Sequence, residues 1–130
     1  MELTDEQFDL LISRAMDELP QHYIAGLDNV AITYDDEPTP EQKEKMKLDE
    51  RHLLLGLYEG VPLTHRGSGW SGMLPDKITL FKHPILRVVS NEAELFEQVK
   101  RTLWHEIAHY YGLDHDRINE IQARSQPSAN

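Results

Sequence analysis

The chain begins with a polar stretch in which apolar residues return every three or four positions: Phe8, Leu11, Ile12, Ala15 and Leu19. That spacing gathers them on one helical face. Thr4 and Gln7 stand at capping-box distance, and Asp5 and Glu6 fall in the first turn, where the helix dipole favours negative charge. With Pro20 as a stop, a helix over roughly residues 5–18 is expected. The rhythm then shortens to two: Val30, Ile32 and Tyr34 alternate with Ala31 and Thr33, which marks a half-buried strand. Asp35 to Pro40 reads as a loop, and Glu41 to Glu50 as a solvated helix or mobile segment. Leu53 to Tyr58 reads as a buried strand ended by Gly60 and Pro62, and Ile78 to Phe81 as a short strand closed by His83-Pro84.

The longest regular element opens at Asn91, with Glu94 three residues on as its capping partner. Ala93, Phe96, Val99, Leu103, Ile107 and Ala108 keep a 3.6-residue rhythm up to Tyr111, and Gly112 supplies the left-handed residue that ends many helices. A last helix over Asp116 to Arg124 turns Ile118 and Ile121 inward, and residues 125–130 read as a disordered tail. Helices and strands follow no repeat. The pattern is that of an α+β fold in a single domain over residues 1–124.

Composition narrows the function. The 130 residues carry 13 Lys and Arg against 23 Asp and Glu, a net charge of −10. All of it lies in residues 1–60, with 15 acidic and 5 basic groups, whereas residues 61–130 hold 8 of each. Phosphate contacts need an excess of Lys and Arg, so neither a nucleic acid nor an anionic membrane is expected as partner. With no cysteine there is no disulfide, no thiol catalysis and no thiolate-ligated metal, which leaves His and carboxylate as metal ligands. The first residues lack a basic and apolar leader, and no apolar run approaches the ~20 residues of a membrane span, so a soluble, cytoplasmic protein is expected. Residues 67–72 spell G-x-G-x-x-G, but no strand precedes them and Pro75 follows, so a surface loop is the better account than a dinucleotide site.

The candidate chemistry sits at the end of the long helix. His105 and His109 stand at i and i+4, so both imidazoles can reach one metal ion. Gly112 allows a sharp turn that can bring His115 to the same point, giving three nitrogen ligands and an open position, the pattern of a catalytic zinc site with one Zn2+. Glu106, beside the first ligand, is placed to act as general base on a metal-activated water and to hand the proton to a leaving amine. Asp116, and after it Asp114, compete with His115 as third ligand or as its hydrogen-bond partner. Trp104 reads as core, and Tyr110 and Tyr111 as packing under the site. His22 and His52 sit among polar residues. His65 and His83 flank the glycine-rich segment, and with Arg66 and Tyr58 they are the candidates for stabilising an oxyanion.

The eleven residues His105–His115 resemble the motif of the zincin metallopeptidases in its metzincin form. Leu54 to Thr64, Pro75 to Phe81 and Thr102 to His109 resemble a narrower group, a small bacterial zincin-like family. This resemblance implies a minimal zincin fold: an N-terminal helix, a small mixed sheet and the active-site helix packed beneath it. It implies a zinc peptidase acting on peptide or protein substrate, and it makes Ile78–Lys82 the sheet edge to which a peptide adds as an extra strand. No methionine follows His115, so the methionine turn of metzincins is missing. Two other functions fit less closely. One is a non-catalytic metal-binding or interaction protein. The other is a three-histidine endoribonuclease, whose resembling motif has glycine where Glu106 stands.

Overall fold

In the computed structural model, residues 2–47, 53–62 and 75–125 are described, the side chains of 115 and 122–125 excepted. They form helices α1 (Asp5–Glu18), α2 (Gln21–Ala25), α3 (Pro40–Lys45), α4 (Lys82–Arg87), α5 (Glu92–Tyr111) and α6 (His115–Ser125), with strands β1 (Val30–Asp35), β2 (Gly56–Glu59) and β3 (Asp76–Phe81). The architecture is the expected α+β one, a small mixed sheet over a long helix.

α1 starts as its sequence dictates. Thr4 Oγ1 accepts the Gln7 N–H at 3.1 Å and Gln7 Oε1 accepts that of Thr4 at 2.8 Å, so two orphan donors of the first turn are satisfied reciprocally. Phe8, Ile12, Ala15 and Leu19 are buried. The same device recurs at Thr39 and Gln42, which cap α3. Pro40 is therefore not a loop residue but the first residue of that helix, where a missing N–H costs nothing. Two further helices were not legible. α2 is a single turn between Pro20 and Gly26. α4 begins directly after β3, with Pro84 in its first turn, so His83-Pro84 continues the chain as helix instead of closing a strand.

The sheet order is β1-β3-β2. β3 pairs parallel with β1 from Val30↔Asp76 to Asp35↔Phe81 and antiparallel with β2 from Gly56↔Leu80 to Glu59↔Lys77. This corrects the expectation for Ile78–Lys82. The strand is central, both its edges are occupied, and Lys82 already belongs to α4, so no peptide can add along it. β2 is also shorter than expected: Leu54 and Leu55 precede it, although Leu55 O still accepts the Phe81 N–H at 2.9 Å.

Alternation along β3 serves two apolar layers. Ile78 and Leu80 join the main core with Phe8 and Ile12 of α1 and with Val99, Leu103, Trp104 and Ile107 of α5. Phe81 joins Leu54 and Leu57 in a smaller cluster on the other face. α5 is the keel of the fold, packing on α1, β2, β3, α4 and α6. Trp104, 1% exposed, donates its indole N–H to Ile118 O at 3.2 Å and so fixes α6 against α5. Lys82 ties the end of the sheet to the chain's start, bonding Leu3 O and Asp5 Oδ1 at 2.9 Å each.

The glycine-rich segment 67–72, His52, His65, Arg66 and tail residues 126–130 lie outside the described residues; Ser125 closes α6. No described helix is long and apolar enough to cross a membrane.

Candidate metal centre

α5 carries the site on its last two turns. Its start is fixed by Asn91, whose Oδ1 accepts the Glu94 N–H at 2.9 Å, while the Glu94 carboxylate takes the N–H of Ser90 at 3.0 Å. Its end is fixed by Gly112 at φ 74°, with Gly112 N–H on His109 O and Leu113 N–H on Ala108 O, both at 3.0 Å. That pair of bonds closes the orphan carbonyls and reverses the chain at once. Only a residue free of a Cβ takes that left-handed turn without cost.

Within this frame the helical period does the rest. His105 and His109 lie one turn apart, their ring centroids separated by 4.5 Å, and both are half-buried. Glu106 points inward and is 6% exposed. Its Oε1 lies 3.4 Å from His109 Nδ1, and this carboxylate holds the His109 pKa above the ordinary imidazole value, with burial opposing. One donor atom from each of His105, Glu106 and His109 lies within 4.8 Å of the others.

A glycine lets strand and helix approach closely above Glu106. α5 runs beneath β2, with Thr102 and Glu106 under Gly56 and Tyr110 beside Tyr58. A Cβ at position 56 would stand 2.7 Å from Thr102 Cγ2 and 3.4 Å from Glu106 Cγ. Gly56 therefore sets the separation of strand and helix, a role that its place inside a strand could have signalled.

The remaining candidates separate clearly. Asp114 is the cap of α6, its Oδ1 accepting the Arg117 N–H at 2.8 Å. Asp116 is exposed in the first turn of α6. His115 is the first residue of α6, three positions beyond Gly112, and its side chain lies outside the described ones. His83 sits on α4 with Nδ1 3.6 Å from Glu37, whose carboxyl is held below the usual range by its bond to Arg87. Tyr58 donates its one hydroxyl proton to Asp76, which is 2% exposed at the start of β3. Tyr110 is buried and Tyr111 half-buried, each in contact with other aromatic rings. Tyr110 Oη accepts the Asp28 N–H at 3.2 Å, and Tyr111 Oη donates to Tyr23 O.

The donor set suits zinc. Imidazole nitrogen is a borderline ligand that zinc accepts at about 2.0–2.1 Å, and His105 and His109 offer two on one turn. Two such donors on one tetrahedral ion stand roughly 3.3 Å apart, and nitrogens of His105 and His109 lie within 4.8 Å of each other.

Comparison with known proteins agrees with this geometry. The family model described as zincin-like metallopeptidase matches residues 27–124. No curated protein matches significantly. Among solved structures, a conserved hypothetical protein from Thermo thermophilus is similar at 24% identity and a TM-score of 0.55, over 93% of this chain and 99% of that one, a likeness of fold alone. A helix bearing paired histidines around a buried glutamate, and a family match over most of the length, lead to one assignment: the chain belongs to the zincin-like metallopeptidase family.

Proposed function

We propose that the protein is a zinc-dependent peptidase in which His105 and His109, with His115 as third ligand, hold one Zn2+, and Glu106 is the general base. The observation that carries the reading is the buried Glu106 carboxylate set between two half-exposed imidazoles on one helical face. When bound, zinc would supply Lewis acidity, polarising a carbonyl and making water acidic near neutral pH. Glu106 accepts the proton of the attacking water at its carboxylate and delivers it to the amide nitrogen as the C–N bond breaks, leaving a carboxylic acid and an amine. At 6% exposed, Glu106 is largely shielded from bulk water.

The substrate in this reading is an extended peptide, and its place is along β2, not β3. Among the described residues β2 pairs on one edge only, and Gly56 of that strand lies over Glu106. A peptide added there by main-chain hydrogen bonds runs past the catalytic carboxylate. The test is incubation of zinc-loaded wild type and Glu106→Gln with unfolded protein, new termini being read by mass spectrometry. Wild type should cleave, and the variant should lose about 10²–10⁴-fold in rate while still binding zinc. Zinc binding without turnover across a broad set of unfolded substrates would favour a binding module, and RNA cleavage that survives the substitution would favour a ribonuclease.

A further inference from the structure

We infer that Tyr111 is a positioning residue for the metal ligands, acting through a brace between the end of α5 and the segment that joins α1 to β1. The inference rests on the zinc reading above. Tyr23 and Gly26 precede the stretch matched by the family model, so the brace is read from this chain's own geometry.

Tyr111 is the last residue of α5, two positions after His109 and immediately before the Gly112 turn that leads into α6. Its hydroxyl donates to the main-chain carbonyl of Tyr23, and its ring meets the Tyr23 ring at 5.0 Å. The Tyr23 ring also meets Trp104 at 5.1 Å, and Trp104 in turn bonds Ile118 of α6. One residue earlier, Tyr110 Oη bonds Asp28. Four aromatic rings thus clamp the turn carrying His109, and the start of α6, to residues 23–28. The Gly112 turn satisfies the last carbonyls of α5, but those local bonds do not fix how the helix end sits against the rest of the fold; the aromatic contacts do. Two imidazoles one turn apart bind an ion together only if that turn keeps its pitch.

Gly26 gives the brace a signature. Its backbone, at φ −83° and ψ −4°, suits any residue, so alanine there brings no conformational strain. Yet a Cβ at 26 would overlap Tyr111 Oη, while Tyr111 Cζ would lie at an ordinary 3.5 Å. The His22 carbonyl at 3.3 Å asks only a shift of a few tenths of an ångström. Gly26→Ala therefore acts mainly by displacing the Tyr111 hydroxyl, and Tyr111→Phe removes the atom it strikes.

The experiment is a double-mutant cycle on zinc affinity, measured by chelator competition, with the visible spectrum of the Co2+-loaded protein and the unfolding midpoint of the metal-free protein recorded alongside. Tyr111→Phe and Gly26→Ala should each weaken zinc binding about tenfold and alter the Co2+ spectrum. Gly26→Ala should cost no more than about twofold further when Tyr111→Phe is already present. Both variants should keep the far-ultraviolet dichroism of wild type; if Tyr111→Phe does not, the Co2+ spectrum of Gly26→Ala decides. Wild-type zinc affinity and an unchanged Co2+ spectrum in Gly26→Ala would overturn the inference and leave the zinc reading intact. So would additive losses in the double variant. No zinc binding by wild type would overturn the zinc reading and the inference with it.

Discussion

Alanine at position 56 should drive β2 and α5 apart, and the size of the effect follows from three contacts. The new methyl would stand 2.7 Å from Thr102 Cγ2, 3.2 Å from Leu80 Cδ2 and 3.4 Å from Glu106 Cγ. The second is the tip of a flexible side chain and can yield; the third is close to ordinary contact. The first cannot be absorbed easily. Thr102 is branched at Cβ, 6% exposed, and its Oγ1 accepts the Gln98 amide at 2.9 Å, so rotation would sacrifice that bond. Overpacking by one methyl typically costs about 1–3 kcal/mol, and the reduced freedom of the unfolded chain returns about 0.4–1 kcal/mol. A net loss of about 1–2 kcal/mol should lower the urea midpoint by roughly 0.7 M at a typical slope for small domains. Removing the obstructing methyl should reverse the loss: Gly56→Ala with Thr102→Ser should be no less stable than Thr102→Ser alone. Urea unfolding of the four proteins, followed by circular dichroism, measures both quantities. If Gly56→Ala unfolds within about 0.5 kcal/mol of wild type, or the two substitutions add, then Gly56 does not set the spacing of strand and helix.

Two more consequences concern the ends of α5 and of β3. Gly112→Ala places a Cβ in the left-handed region at φ 74° and should cost about 1–2 kcal/mol; Gly112→Asn should cost less, an order that thermal unfolding will show. Lys82 has its pKa raised by its bond to Asp5, against the effect of burial. A raised folded pKa means its stabilisation is full below the unfolded value and is lost as pH rises through the folded one. Wild-type stability should therefore fall more steeply than that of Lys82→Met above about pH 10, as urea midpoints between pH 8 and 11 would reveal.

How much of this was legible in advance depends on the range of the interaction that decides each feature. Local rules located α1, both ends of α5 and the helical pairing of His105 with His109, because a capping box, an i, i+4 spacing and a left-handed glycine act within a few residues. The same rule was present at Thr39 and Gln42, but two prolines and a charge run masked it. α4 was hidden because a proline tolerated in a first turn looks like a breaker. The placement of Ile78–Phe81 could not be read at all. Nothing in Ile78-Thr79-Leu80-Phe81 distinguishes a central strand from an edge strand, since that depends on which distant segments pair with it, here Val30–Asp35 and Gly56–Glu59.

The sequence by itself determined the donor chemistry: no thiols, two imidazoles one turn apart, a carboxylate between them, and a glycine to end the helix that bears them. Tertiary structure decided what surrounds these groups. It buried Glu106 beneath Gly56, turned the Tyr58 hydroxyl toward Asp76, tied Tyr111 to Tyr23, and gave the central position to β3 and a free edge, among the described residues, to β2. Spacing along a helix is fixed by a local hydrogen-bond pattern that neighbours in sequence share. Burial, partner choice and strand order arise only when segments far apart in the chain exclude water together, and no local pattern encodes which of them will meet.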